Sequence, residues 1–290
     1  FAKDVEFTGD PRLGDLVAVY GKRNRLVGLG LYDAHSPIAV RMISKGEAFS
    51  LDYVRERLRE ALDKRLKSGE FHERNNAFRV INGENEGLPA IVIDNYAQTW
   101  VLKIYSAIWL NYLESILTMI VEEFKPRGLV LRFSRGVLPF FTERFQEGSF
   151  LAGEHVDFVD FNEHGLKFRA QVSRGQKTGF FLDQRDNRKL IRDLSSGRRV
   201  LDLCSYSGGF SLNAAKGGAR EVWSVDMDKR ALEMLDAHYA MNEDEIDFSK
   251  CERVEFCRNL QYTNVPGTRG EHLPGPVFFC GACHGIRCCD

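Results

Sequence analysis

The chain has 290 residues, 43% hydrophobic and 28% charged, which describes a globular protein of two or three units and excludes low-complexity and fibrous classes. Forty basic residues against 41 acidic ones leave a net charge of −1, so a nucleic-acid surface can only be a local patch. No run approaches the ~18 apolar residues of a spanning helix, so no membrane partner is expected. Phe1 already lies inside a patterned segment, with no Met or targeting sequence before it. The N-terminus therefore reads as incomplete, and an organellar location stays open beside a cytoplasmic one.

Residues 1–46 read as short strands. Asp15–Tyr20 and Leu26–Tyr32 flank the turn Arg23-Asn-Arg, and glycines in the second run permit close backbone approach. Ile38–Ile43 follows the turn cluster Asp33–Pro37, and the whole is a small β-barrel pattern that lacks its beginning. Ser50 is a suitable N-cap for a helix to about Lys67, with Leu51, Val54, Leu58, Ala61, Leu62 and Leu66 on one face. Its Arg and Lys residues could meet RNA phosphates, but interleaved acids make a solvated face the expectation.

Residues 47–150 form a helical link and an α+β middle domain. Strands are expected at 78–81, 90–93, 100–105 and 128–133, and a helix over 106–124. The acids of Gly83–Pro89 belong to a turn-rich link and read as structural. Val156–Phe161 and Leu166–Val172 form a hairpin, with Gly165 available for positive φ. Then helical spacing at Leu190, Ile191 and Leu194 is followed by strand 200–203, helix 210–215, strand 221–225 and helix 231–242. That β-α-β-α order is the start of a parallel, doubly wound sheet.

The chemistry concentrates between Gln176 and Asp226. An apolar strand ends at Asp202 and opens into Cys204-Ser-Tyr-Ser-Gly-Gly209 before a helix, the way an open α/β sheet presents a nucleotide-like cofactor. The loop is not G-x-G-x-x-G, which favours a cofactor without a pyrophosphate, S-adenosylmethionine leading. The next strand ends at Asp226, 24 residues on, where an acid accepts hydrogen bonds from ribose hydroxyls. Gly208 and Gly209 lack the Cβ atoms that would block an adenosyl group, and Asp202 can bind the ammonium of the methionine part. Cys204 is expected to pack. In Lys177–Arg185 a glycine stands between a polar pair and two aromatics, as in a loop that folds over a ligand. Phe180 or Phe181 could cover an adenine, and Gln184 or Arg185 could reach a carboxylate.

Cys204 is the sole cysteine of the first 250 residues, while Cys251, Cys257, Cys280, Cys283, Cys288 and Cys289 crowd the last 40. The pairs are too close for a zinc knuckle, and no metal site is expected.

Gln176-Lys-Thr-Gly-Phe-Phe-Leu-Asp-Gln-Arg-Asp-Asn-Arg188 followed by Val200–Leu212 closely resembles the S-adenosylmethionine-dependent ribosomal RNA methyltransferases that carry an N-terminal PUA domain. Residues 14–44 look like the PUA barrel of that family, and Phe78–Tyr96 is similar to its middle domain. The resemblance implies a multi-domain α/β protein: a PUA-like β-barrel (1–46), an α+β middle domain (47–150) and a Rossmann-like methyltransferase domain (151–257), here incomplete. It implies 5-methylcytosine formation in large-subunit ribosomal RNA, with S-adenosylmethionine as cofactor, RNA as partner and a homodimer as an open expectation. The family's cofactor residues carry over onto Lys177, Thr178, Phe181, Gln184, Asp202, Gly208, Gly209 and Asp226.

The chain departs from the family after its second Rossmann helix. Val254–Leu260 shows no acid where one that binds the adenine amine is expected, and no D-P-P loop or later attacking Cys follows. Residues 258–290 lack periodicity and read as an aberrant or disordered tail, as from a frameshift or truncation, so the catalytic residues stay unknown. The alternative is a non-catalytic RNA-binding protein with a decayed methyltransferase fold. A nicotinamide-dependent dehydrogenase is disfavoured by the loop sequence.

Overall fold

The computed structural model describes residues 5–46, 49–141, 144–255, 277–280 and 285–288. They fall into two compact units, residues 1–162 with 170–182 and residues 163–169 with 183–290. The 170–182 stretch, grouped with the methyltransferase domain by its sequence, thus lies in the first unit.

In the first unit, β1 (Leu16–Gly21), β2 (Arg25–Tyr32) and β3 (Val40–Ser44) make a three-stranded antiparallel sheet in that order. A Cβ on Gly28, whose φ is 154°, would stand 2.2 Å from the Ser44 carbonyl oxygen, so glycine is what lets β3 approach. The described strands form this sheet and not a closed barrel.

Helix α1 (Leu51–Lys67) buries Val54, Leu58 and Ala61, as the periodicity predicts, while Leu66 is exposed. Most of its cations are paired: Arg55 and Arg59 share Glu123, and Arg65 meets Glu86 at 2.7 Å. The middle sheet has the order β4 (Ala77–Asn82), β5 (Ile91–Tyr96), β6 (Thr99–Ile104), β7 (Gly128–Phe133), β8 (Ser149–Ala152). β6 and β7 are its one parallel pair, which requires a crossover. That crossover is the helix expected over 106–124, broken into a turn at Ala107–Trp109, α2 (Leu113–Met119) and a π-helical turn at Ile120–Phe124. One face of the sheet, with Ile93, Leu102 and Leu131, joins Trp109 and Phe141 in the core.

β9 (Phe158–Glu163) and β10 (Leu166–Gln171) form the expected hairpin, and both turn residues, His164 and Gly165, have positive φ. The second unit adds α3 (Arg185–Leu194), β11 (Arg199–Leu203), α4 (Gly209–Lys216), β12 (Glu221–Asp226), α5 (Lys229–Asn242), β13 (Cys251–Glu255), β14 (Val277–Cys280) and β15 (Gly285–Cys288). The sheet order is β13-β12-β11-β14-β15, parallel except for β15.

Two details differ from the sequence reading. β13 ends at Glu255, in register with Asp226, and so overlaps only the first two residues of the 254–260 stretch. Within 258–290, read as an aberrant or disordered tail, Val277–Cys280 instead pairs with the edge of β11 that β12 leaves open. The apolar Val-Phe-Phe-Cys run bounded by Pro and Gly accounts for this, and an open edge of a parallel sheet favours such a partner. The rest of the tail reading lies outside the described residues.

Candidate functional site

At the carboxyl end of β11, Asp202 is fully buried. Its Oδ2 accepts hydrogen bonds from the Ser211 amide at 3.1 Å and the Ser211 hydroxyl at 2.7 Å, in the first turn of α4. Burial pushes its carboxyl up to about 7, against the Ser211 hydrogen bonds, and Asp226 adds to the rise. Oδ1 has no partner among the described residues, and neither do the buried hydroxyls of Ser205 and Ser207. A polar group buried without a partner costs stability, and three such groups lie around this one loop.

Asp226 ends the adjacent strand β12. Its Oδ2 accepts the Tyr206 amide at 2.7 Å and its Oδ1 the Asp228 amide at 2.9 Å. These bonds fix the carboxylate and leave a lone pair on each oxygen for a diol. The strand order changes direction around β11, and ligands of open α/β sheets bind at the carboxyl ends beside such a switch.

Gly208 has φ 72° at the N-cap of α4, and a Cβ there would lie 1.7 Å from a methyl carbon of Leu235. Its missing side chain therefore makes room for α5, a reason the sequence reading did not give. Gly209 is buried as the first residue of α4. Cys204, expected to pack, is exposed and takes φ 58°.

The loop residues divide between the units. In the first unit, Thr178 is fully buried and its hydroxyl donates to Asp94. Lys177, at φ 51°, sets its ammonium 4.5 Å from the Phe181 ring, and both side chains are partly exposed. In the second unit, Gln184 is buried and its Oε1 accepts from the Asn187 side chain at 2.9 Å. Asp202, Gly208, Gly209 and Asp226 are thus brought together around one loop.

Residues of α5 complete the second unit's part, and sequence reasoning missed them. His238 is fully buried between the Ser207 carbonyl, 2.7 Å from Nδ1, and the Arg169 amide, which donates to Nε2 at 2.9 Å. Asn242, one turn on, accepts the Lys167 amide at 2.9 Å and donates to its carbonyl at 2.8 Å. Their i, i+4 spacing with a buried periodicity was the one signal in the sequence. No group of three or more metal-ligating residues occurs among the described residues, and no helix there is long and apolar enough to cross a membrane.

Residues 135–258 match a family described as S-adenosylmethionine-dependent methyltransferase, and residues 1–45 match a PUA-like domain. The chain is similar to a ribosomal RNA large subunit methyltransferase of Deinococcus radiodurans, 41% identical over 81% of this chain and 59% of that protein. It is 30% identical to ribosomal RNA large subunit methyltransferase I of Aeromonas salmonicida, over 99% of this chain and 75% of that protein. For the Deinococcus relative and that of Pseudoalteromonas atlantica, at 59% and 64%, the chain spans less than two thirds of their length. In fold it is similar to a structure from Streptococcus mutans described as a S-adenosylmethionine-dependent methyltransferase, with TM-score 0.74 at 22% identity over 87% of this chain and 64% of that one.

Proposed function

The chain belongs to the family of large-subunit ribosomal RNA methyltransferases, and on that premise we propose that it binds S-adenosylmethionine and serves methylation of ribosomal RNA at C5 of cytosine. The observation that carries the cofactor reading is the pair of acids at adjacent strand ends, Asp202 with an orphaned Oδ1 and Asp226 with two anchored oxygens. The donor set fits the group. Asp202 Oδ1 would take the ammonium of the amino-acid part, Ser205 and Ser207 its remaining polar atoms, and Asp226 the ribose hydroxyls. Lys177, Thr178, Phe181 and Gln184 enter as family cofactor residues, with Gly208 and Gly209 shaping the loop. When bound, the cofactor supplies an electrophilic methyl group.

The PUA-like domain is proposed as the RNA-docking part, with action in the cytoplasm and a homodimer as the open assembly. Methylation at C5 requires a thiolate that adds to C6 of an unstacked cytosine and a base that removes the C5 proton. The sequence shows neither the D-P-P loop nor the attacking Cys of the family, so the chain is proposed to hold the cofactor half of the site. That same feature favours the second reading, an RNA-binding protein that no longer catalyses.

Calorimetric titration with S-adenosylhomocysteine tests the proposal. Micromolar binding that Asp226→Ala abolishes supports it, and a folded chain without binding overturns it. Binding of ribosomal RNA by a chain that ignores the cofactor analogue would leave the second reading.

A further inference from the structure

The middle sheet of the first unit is buried on both faces, and the two faces differ in kind. Through the register of β5, β6 and β7, Asp94, Tyr96, Lys103 and Arg132 share the face opposite Ile93, Leu102 and Leu131. Asp94 and Tyr96 are fully buried and Arg132 nearly so. Buried polar groups need partners, and here they are shared between charged side chains, Glu147 for Arg132 and Arg79 for Asp94, and the 172–180 loop. Arg132 donates to the Val172 carbonyl at 3.0 Å and the Gly175 carbonyl at 3.1 Å, and Lys103 donates to the Lys177 carbonyl at 2.6 Å.

A directional chain of hydrogen bonds reaches the loop from the other side. The Phe180 amide donates to the Tyr96 hydroxyl at 3.2 Å, and that hydroxyl lies 2.9 Å from the Thr178 hydroxyl, which donates to Asp94. Asp94 is anchored by two bonds from Arg79, at 2.9 and 3.1 Å. Buried chains of this kind polarise along their length and fix one geometry. The bonds from Arg132, Lys103, Tyr96 and Asp94 fall on the loop's backbone or on Thr178, while the Lys177 and Phe181 side chains stay partly exposed.

We propose that Asp94, Tyr96, Lys103 and Arg132 are positioning residues that hold the 172–181 loop in its cofactor-binding form, and that Thr178 acts as the loop's internal anchor. The inference rests on the cofactor reading given under Proposed function. These residues lower the cost of binding by ordering the loop beforehand.

The test uses the full chain and its Tyr96→Phe variant, which keeps the ring and removes the hydroxyl, with S-adenosylhomocysteine as probe. Titration below the melting range should show the variant's Kd raised about tenfold. Amide hydrogen exchange at residues 177–181 should be faster in the free variant and return to the wild-type rate at saturating ligand, which a general loss of stability would not produce. Should Tyr96→Phe fail to fold, Lys103→Met removes a half-exposed anchor of the same loop and should raise Kd about threefold. An unchanged Kd in a folded variant overturns the positioning role and leaves the cofactor reading intact. A folded wild-type chain that does not bind overturns both.

Discussion

Arg188 and Glu163 form a doubly hydrogen-bonded ion pair, both contacts at 2.6 Å and each side chain 2% exposed. The pair ties α3 to the hairpin strand β9, and Arg188 also lies 6.0 Å from the Phe210 ring at the start of α4. A charge left alone at such burial costs more than the pair contributed. Glu163→Ala is expected to lower unfolding free energy by about 3–5 kcal/mol. Glu163→Leu with Arg188→Met should lose clearly less, because no unpaired charge remains. Urea denaturation of the two variants beside the parent checks this, and equal losses would mean the pair is not electrostatically closed.

Gly208 answers to two constraints at once, a left-handed φ of 72° and the Leu235 methyl 1.7 Å from where a Cβ would be. Strain in the left-handed region and overpacking each cost about 1–3 kcal/mol. Gly208→Ala should therefore destabilise by roughly 2–6 kcal/mol as their combined range. Adding Leu235→Ala relieves the clash but not the φ strain, so the double variant should recover part of the difference between its single parents. A melt series resolves the two terms. Full additivity would show that the side chains do not meet.

Asp202 makes both stability and ligand affinity depend on pH, in opposite directions. Its folded-state value of about 7 stands above the ordinary 3.8, so the folded chain holds the proton more tightly than the unfolded one. The resulting stability is present below the ordinary carboxylate range and is lost as pH rises toward about 7. Binding an ammonium needs the carboxylate, so affinity for S-adenosylhomocysteine should rise with pH and level off above the folded value. At pH 6 about nine-tenths of the groups are neutral, which predicts roughly tenfold weaker binding than at pH 8. Calorimetry in two buffers of different ionisation enthalpy should also register proton release at pH 6. Asp202→Asn should bind weakly with a flat profile, and a wild-type profile equally flat would remove Asp202 from contact with the cation.

Much of this site is legible in the sequence because it is local. An apolar run ending in an acid, a small-residue loop and a second acid 24 residues on occupy one β-α-β unit, and chain order alone puts Asp202 and Asp226 on adjacent strand ends. Long-range side-chain bonds are a different matter. Asp94, Tyr96, Lys103 and Arg132 alternate with core residues and read as an ordinary solvent face, because nothing in β5 to β7 reveals that a loop some 40 to 84 residues away covers them. Thr178 carries over as a cofactor residue from its motif, and no spacing reveals that its hydroxyl donates to Asp94. Strand β8 has only four residues and no alternation strong enough to set it apart from the turns around it.

His238 and Asn242 offer the sharpest separation of architecture from function in the second unit. Both side chains satisfy the outer backbone edge of β10, His238 at Arg169 and Asn242 at Lys167, as a neighbouring strand would. Only His238 also reaches the cofactor loop, through the Ser207 carbonyl. Its Nε2 accepts from the Arg169 amide, which leaves Nδ1 as the donor to Ser207. Replacing either residue by an apolar one strands buried backbone groups, at a cost of about 1–3 kcal/mol each. His238→Leu and Asn242→Leu should thus destabilise to a similar degree, with an interaction energy of about 0.5–3 kcal/mol in the double variant because they brace one strand. Their effects on ligand binding should diverge: His238→Leu frees the Ser207 carbonyl and should weaken S-adenosylhomocysteine binding several-fold, while Asn242→Leu, measured well below its melting temperature, should bind as the parent does. His238→Gln, with a donor and an acceptor on one side chain, should recover part of the affinity. Equal affinities for all three would confine His238 to holding β10.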